Sequence, residues 1–398
     1  MESKIIIKNP DVVIHPLDSA SVYNYYVVQV SDSYYKLDED IVQILLFIDK
    51  GKSLNELKKH LIEKYNTEIS LEKTEEFVKQ KLIQYHLVWY ENEVTDIPQK
   101  DKKKSYIRFR LTLLQFDFLK PIVSKLTFLF QKYVFKILNF LAIIVLLLVL
   151  IPYKNQSLSS LQYLVILFIV YAGTLWHEFG HITACYYYGV KPRNIGFGFY
   201  IIFPVLYSEV TSVWLLNRKQ RMIVNYGGIY FQFIYIIMLY LLSSFVGKIV
   251  ILKAIYFIII SFIPALNPIL RFDGYWLFSD LIGVDNLRDN TTKVIKYYKN
   301  KFFGKSSPVP DVFSQYSANK IFVLKFYMLL SLSFLLFFYY IIMKEVWIIM
   351  KEIWQYLLMM YKTSFTEFRF NWEFGNIAIK LIIVSVVLFL ITNRIVKK

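Results

Sequence analysis

Five consecutive residues near the middle of the chain place two imidazoles and a carboxylate at helical spacing. They are His177-Glu178-Phe179-Gly180-His181. Positions i and i+4 lie on one face of a helix, so both imidazoles can reach one metal ion. Imidazole is a natural zinc ligand, and Glu178 stands where a general base can take a proton from water and pass it to a leaving amine. The run therefore predicts a zinc hydrolase that cleaves peptide bonds.

Histidine is rare in this chain, which makes the spacing informative. Of the five histidines, only His177 and His181 have ligand spacing; His15, His60 and His86 are expected to be ordinary surface or core residues. The alternative for the motif is a pair of buried histidines bonded to polar neighbours. Ionisable residues within an apolar membrane segment are costly and usually functional, which favours the metal site.

A catalytic zinc site needs a third protein ligand, and Asp273 is the best candidate. It closes the predicted fourth membrane span, on the side where the second span carries the histidines. Pro268 breaks the helix there, and Gly274 permits a turn that lets the carboxylate point inward. The competing acids are Glu209, Asp280 and Asp285. The alternative for Asp273 is a helix-terminal turn residue paired with Arg271.

Composition places these motifs in a membrane protein. Hydrophobic residues make up 56% of the 398 residues, more than a soluble chain of this length usually carries. The net charge of +16 could indicate nucleic-acid binding, but apolar runs interrupt the basic residues, so no nucleic-acid partner is expected. Basic loops between spans are normal because they set orientation. The single Cys185 excludes an intramolecular disulfide and is expected to be a packing residue.

Six stretches are long enough to cross a bilayer, which needs about 20 apolar residues. They lie at 134–152, 159–187, 222–246, 249–270, 321–343 and 376–393. Lysine and arginine concentrate in the loops after the second and fourth spans and in the C-terminal tail. This bias predicts a multi-pass protein of the cell membrane with both termini in the cytoplasm. The segment around Trp347, Trp354, Phe365 and Trp372 is typical of an interfacial aromatic belt on the opposite side.

The first 100 residues lack a long apolar run, so no cleavable signal peptide is expected at their start. Tyr25 to Val30 and the pair Tyr34 and Tyr35 indicate a hairpin, and Asp38, Ser53 and Ser70 each precede a helical pattern. Strands followed by three helices predict a small α+β, winged-helix-like domain over 1–100. A solvated basic linker is expected over 101–132, with the cluster Lys102, Lys103, Lys104, Arg108 and Arg110. An all-α, polytopic membrane domain of about six helices would fill 133–398.

Two features of the membrane domain suit peptide cleavage. The segment from Val190 to Val213 is too irregular for a helix and too apolar for an exposed loop, which favours a re-entrant β-hairpin. Its edge could pair with an extended substrate. In the third span, four residues allow close helix packing or offer polar partners near the site: Asn225, Gly227, Gly228 and Gln232.

At these residues the chain resembles the site-2 protease family of intramembrane zinc metalloproteases. In that family one membrane helix carries His-Glu-x-x-His and a later one carries Asn-x-x-Pro running into Leu-Asp-Gly. The matching residues are His177, Glu178, His181, Pro268, Asp273 and Gly274. Phe272 stands in place of the usual leucine, and Asn267 directly precedes the proline. The resemblance covers roughly 165–290 and implies that the aspartate completes the zinc site.

A narrower resemblance, carried by the run from Asn267 through Arg271-Phe272-Asp273-Gly274-Tyr275-Trp276, is to the peptide zinc metalloproteases encoded beside bacterial peptide-modification and export systems. The N-terminal domain is similar to winged-helix domains that capture leader peptides as an added strand. The hairpin at 25–35 and the helix at 70–85 would form that groove. The implied substrate is a ribosomally made precursor peptide, and the implied partners are a peptide-modifying enzyme and an ABC exporter.

Two other functions stay open at this point. One is regulated intramembrane proteolysis of a signalling protein, against which the fused N-terminal domain weighs. The other is a transport or immunity protein whose zinc site is structural, although a structural site would not need the intact Glu178. A precursor peptide, a modifying enzyme and an exporter encoded nearby would favour peptide maturation.

Overall fold

A computed structural model describes residues 4–91, 107–149, 157–200, 203–245 and 247–362, together with 375, 380 and 385. Several predicted features lie outside these residues: the sixth span at 376–393, Phe365 and Trp372, the lysines at 102–104 and the basic C-terminal tail. Within the described residues the chain forms an N-terminal α+β unit and a larger, mostly helical body. The predicted fold class is confirmed at that level, as a mostly helical chain with candidate membrane-spanning helices and small N-terminal sheets.

The N-terminal unit consists of two small antiparallel sheets packed with three helices. The predicted hairpin is confirmed, since Val30 pairs with Ser33 across the turn. Asp38, Ser53 and Ser70 cap the three helices through their side chains, as the sequence predicts. The elements are β1 (Ile5–Lys8), β2 (Val12–Pro16), β3 (Tyr25–Val30), β4 (Ser33–Asp38), α1 (Glu39–Phe47), β5 (Lys52–Ser53), α2 (Leu54–Tyr65), α3 (Leu71–Phe77) and β6 (Val88–Tyr90). The strand orders in the two sheets are β5-β1-β6 and β2-β3-β4.

Residues 101–132 differ from the expected linker once the described chain resumes at Ile107. Strand β7 (Ile107–Gln115) joins an antiparallel sheet with β8 (Asn194–Tyr200) and β9 (Phe203–Ser208), in the order β7-β8-β9. Helix α4 (Phe116–Leu126) then buries Phe116, Leu119 and Val123 against the body. The physical reason is alternation: apolar residues from Ile107 to Leu113 occupy every second position, which is a strand pattern hidden among basic residues.

Five helices in the described part of the chain are long and apolar enough to cross a membrane. They are α5 (Lys132–Val149), α6 (Ser160–Tyr187), α7 (Arg218–Leu242), α8 (Lys248–Ala265) and α12 (Ala318–Lys362). Four of them match the predicted spans within a few residues. Helix α12 runs well beyond the predicted 321–343 and includes Trp347 and Trp354, because its sequence contains neither glycine nor proline to end it.

Three shorter helices follow α8 and bring polar residues back toward the body. They are α9 (Asp273–Ile282), α10 (Leu287–Phe302) and α11 (Val312–Gln315). Helix α9 packs against α7, and α10 packs against the first part of α12. A buried cluster that includes Tyr275, Leu287 and Leu324 holds α9, α10 and α12 together.

The N-terminal unit contacts the body through a polar interface. The carboxylate of Asp18 accepts hydrogen bonds from the backbone N–H and Nε of Arg218, at 2.9 and 3.1 Å. The carbonyl of Asp18 accepts one from Nη2 of buried Arg221 at 2.9 Å. Lys36 pairs with Asp285 at 2.8 Å. These contacts place the N-terminal unit beside the ends of α7 and α9, which also line the candidate site.

Candidate metal centre

The two imidazoles of α6 are held in one orientation each by partners on α7. Nδ1 of His181 donates to the backbone carbonyl of Val224 at 2.8 Å. Nδ1 of His177 lies 3.0 Å from Oε1 of Gln232. A carbonyl oxygen can only accept, so each Nδ1 carries the proton and each Nε2 keeps its lone pair. The two Nε2 atoms face each other at 3.0 Å.

Asp273 reaches the same point from the start of α9. Its Oδ2 lies 2.9 Å from Nε2 of His177, and its Oδ1 lies 3.4 Å from Nε2 of His181. Arg271, which the sequence offers as an alternative partner of Asp273, pairs with Asp289 at 3.2 Å.

The backbone before Asp273 explains how the carboxylate gets there. The side-chain oxygen of Asn267 accepts from the backbone N–H groups of Ile269 and Leu270, which makes a tight turn after α8. Gly274 then packs directly on the chain, where a Cβ would lie 2.6 Å from Cα of Leu266. The lack of a side chain at Gly274 therefore allows two backbone segments to lie in close contact.

The three candidate ligands fit a zinc ion. Their nearest atoms are 2.9 to 3.4 Å apart, and donors about 2.0–2.1 Å from a tetrahedral zinc would be separated by about 3.3 Å. Two imidazole lone pairs and a carboxylate oxygen converge, and no hydrogen-bond donor stands among these three groups. Such acceptors repel one another unless a cation lies between them. His177, His181 and Asp273 also form the group of potential metal ligands found within the described residues.

Each of the competing acids is paired with a cation of its own. Glu209 pairs with Arg193 at 3.2 Å and Asp285 pairs with Lys36. Asp280 accepts from Nε of Arg221 at 2.7 Å and from Nδ2 of Asn225 at 3.1 Å. Burial raises the pKa of Asp280 to about 6, against the lowering effect of the Arg221 guanidinium. None of these three carboxylates joins the histidine pair.

Glu178 and the three candidate ligands line one cavity of about 780 Å³. Glu178 is largely buried and lines the cavity beside both histidines. Trp214 and Trp276 form part of the wall, with ring centroids 6.3 Å apart. Strand β9 contributes a continuous stretch of the lining from Pro204 to Ser208. The cavity therefore has room for a short extended peptide beside the candidate metal site.

Some residues of this site were ambiguous or invisible in the sequence. Gln232 could be read as a packing residue or a substrate contact, whereas the structure places it on the His177 ring. The carbonyl of Val224 carries no sequence signal, because every residue offers one. Asn225 contacts Asp280 and lines the cavity. Cys185 is buried away from the candidate ligands, near Ser212 and the carbonyl of Val190, as expected of a packing residue.

Gly228 leaves open the space beside the histidine rings. A Cβ at this position would lie 2.5 Å from Nε2 of His181 and would also collide with the His177 ring. We expect Gly228→Ala to keep the helical fold and to lose zinc, because the methyl group displaces the rings or occupies the metal position. Zinc content and circular dichroism of the purified variant test this. An alanine variant with full zinc content would show that the metal does not sit between these rings.

Gln232 should act on zinc affinity through the orientation of His177. Removing a partner that orients a ligating histidine typically weakens metal binding about 10- to 100-fold. We therefore expect Gln232→Leu to weaken zinc binding by about that factor, measured by competition with a chromophoric chelator. Gln232→Glu keeps an acceptor for Nδ1 and should retain affinity. Equal affinity in the wild type and the leucine variant would contradict this role.

Comparison with known proteins adds one finding. No family model matches the chain, and no solved structure matches it. The chain is 29% identical, over 224 residues, to a Bacillus subtilis (strain 168) protein named "Putative peptide zinc metalloprotease protein YydH". The match covers 52% of this chain and 85% of that protein. This similarity, together with a cluster of two histidines and an aspartate, supports a zinc metalloprotease role for the chain.

Proposed function

We propose that this chain is a membrane-embedded zinc endopeptidase that cleaves a ribosomally made precursor peptide during its maturation or export. The observation that carries the proposal is the convergence of His177, His181 and Asp273 at one point, with Glu178 in the same cavity. A bound zinc ion would polarise the peptide carbonyl and lower the pKa of water to about 7. The first five predicted spans and the similarity to a peptide zinc metalloprotease both support this assignment.

The residues of the chain have distinct tasks in this mechanism. The carboxylate of Glu178 accepts the proton of the attacking water and donates it to the nitrogen of the leaving amine. Gln232 and the Val224 carbonyl keep each Nδ1 protonated, so each Nε2 lone pair stays directed at the metal position. Trp214 and Trp276 form part of the cavity wall beside these groups.

The edge of β9 suits an extended substrate. Strand β8 pairs with β7 on one side and β9 on the other, and within the described residues no strand pairs with the outer edge of β9. A peptide can add to such an edge through backbone hydrogen bonds. Strand pairing would hold the peptide extended, with its carbonyls accessible beside the candidate ligands. The β8–β9 hairpin would then act as the re-entrant element that the sequence predicts.

The N-terminal unit is the proposed capture site for the precursor. Strands β2, β3 and β4 form a sheet and precede three helices in the chain. This order is similar to that of the domains that bind leader peptides as an extra strand. The unit contacts Arg221, which also lines the cavity, so a captured peptide would lie near the catalytic groups. The basic loops favour a cytoplasmic location for this unit. A peptide-modifying enzyme and an ABC exporter are the proposed partners.

The proposal is tested with the full chain in lipid vesicles and the small peptide encoded beside its gene. Mass spectrometry should find a single cleavage of that peptide, which a zinc chelator stops and added zinc restores. Cleavage that continues after complete zinc removal would contradict the mechanism. Cleavage of a neighbouring membrane-anchored regulator, with the small peptide left intact, would instead favour regulated intramembrane proteolysis.

A further inference from the structure

An apolar groove lies between the end of α10 and the membrane helix α12. It encloses about 650 Å³ and is open on one side. Phe302 of α10 and Met328 and Leu332 of α12 form its apolar lining, and Lys299 and Lys301 lie at its rim. The groove shares no lining residue with the cavity of the candidate metal centre. It is therefore a separate surface feature with an apolar interior and a basic edge.

The charges of α12 show where the groove lies relative to the bilayer. Between Lys325 and Lys344 the helix carries no charged residue. That stretch is about 27 Å long at about 1.5 Å per residue, close to the hydrocarbon thickness of about 30 Å. Met328 and Leu332 lie about one and two helical turns beyond Lys325, within this uncharged stretch. The groove thus begins at the level where headgroups meet acyl chains.

The residues around the groove carry a strong positive charge. From Leu287 to Lys305 there are one arginine and five lysines against the single Asp289, which gives 6 − 1 = +5. Asp289 is paired with Arg271. The lysines at 293, 296, 299, 301 and 305 are exposed, and within the described chain none of them forms an ion pair. An anionic partner would compensate this charge.

The aromatic residues at the end of α10 argue for a partner that is also apolar. Phe302 is 85% exposed and Phe303 is 63% exposed, next to the lysines. Exposed aromatic rings beside lysines are typical of a membrane interface, where the rings insert and the ammonium groups contact phosphates. We propose that the groove binds one anionic phospholipid. An acyl chain lies along Met328 and Leu332, and the headgroup phosphate contacts Lys299 and Lys301.

Such a lipid would have a structural consequence for the metal site. Helix α10 is joined to α9 by the short segment 283–286, and α9 begins with Asp273. A lipid held between α10 and α12 would therefore fix the depth of the segment that supplies the carboxylate. This inference rests on α12 as a membrane span and does not require the proposed peptide substrate.

Native mass spectrometry of the full chain can test the site, with phosphatidylglycerol and phosphatidylcholine as competing lipids. The wild type should retain phosphatidylglycerol preferentially. Each lysine near a membrane surface contributes enough attraction that Lys299→Gln with Lys301→Gln should lower retention by about tenfold to thirtyfold. Lys299→Arg with Lys301→Arg should keep it. The matched control is Lys58→Gln with Lys59→Gln, which removes the same charge from α2.

A second variant tests the apolar half of the groove without changing charge. Leu332→Trp fills the groove and should reduce retained phosphatidylglycerol even with both lysines present. The proposal is overturned if the glutamine pair retains phosphatidylglycerol like the wild type, or if the wild type binds both lipids equally. Circular dichroism of each variant reports whether the helical body is intact, so loss of lipid is distinguished from loss of fold.

Discussion

Glu178→Gln is expected to abolish peptide hydrolysis while zinc remains bound. Glutamine has nearly the same shape as glutamate but cannot accept the proton of the attacking water. General acid–base groups contribute about 10²- to 10⁴-fold to a rate, and we expect a loss in that range or beyond it. The candidate ligands are unchanged, because Glu178 is not among the three converging groups. Cleavage of the peptide by mass spectrometry and zinc content, measured on one preparation, separate the two effects.

Glu63→Gln is the matched control for this change. Glu63 is exposed on α2 of the N-terminal unit, far along the chain from the cavity, and its replacement should leave hydrolysis unchanged. If Glu178→Gln cleaved the peptide at the wild-type rate, Glu178 would have no role as the base. If it lost zinc together with activity, the residue would belong to the metal ligands or to the fold around them.

Asp273→Ala is expected to lose both zinc and hydrolysis. The variant leaves two imidazoles without the anionic oxygen that completes the site, so the charge of the ion is no longer compensated. Losing an orienting partner already costs about 10- to 100-fold in metal affinity, and the loss of a direct ligand should cost more. Helix α9 should persist, because its buried contacts through Tyr275 and Ile282 do not involve the carboxylate.

Asp289→Ala provides the comparison for Asp273. Asp289 pairs with Arg271 and is not among the three converging groups. We expect this variant to keep its zinc. Full zinc content in Asp273→Ala would show that another group is the third ligand, and Asp280 would be examined next because it lines the same cavity.

The candidate site is the part of this molecule that the sequence predicts best. His177 and His181 lie one helical turn apart, so their mutual geometry is local and follows from helix periodicity. Asp273 is 92 residues beyond His181, and it was indicated by its predicted side of the membrane, by the turn between Pro268 and Gly274, and by the family resemblance. The structure brings the three together, with Oδ2 of Asp273 2.9 Å from Nε2 of His177 and Oδ1 of Asp273 3.4 Å from Nε2 of His181.

Contacts between residues far apart in the chain could not be predicted, because no local sequence pattern indicates them. Arg221 joins Asp18, Leu216 and Asp280, and its partner at Asp18 is about 200 residues away in the chain. Nothing in the residue type or spacing of Arg221 distinguishes this role from that of a basic loop residue. Strand β7 was hidden for a related reason, since its pairing partner β8 follows only after the two long apolar helices α5 and α6. The contact between Gln232 and His177 likewise joins residues that are far apart in the chain, and no local pattern indicates it.

The coordination of zinc in the purified chain tests the central claim most directly. X-ray absorption at the zinc edge, combined with metal analysis, should show about one ion per chain with nitrogen and oxygen ligands at about 2.0–2.1 Å, and imidazole scattering that disappears in Asp273→Ala together with the metal. A chain that binds no zinc would contradict the account. So would a sulfur ligand at about 2.3 Å, since Cys185 lies outside the proposed site.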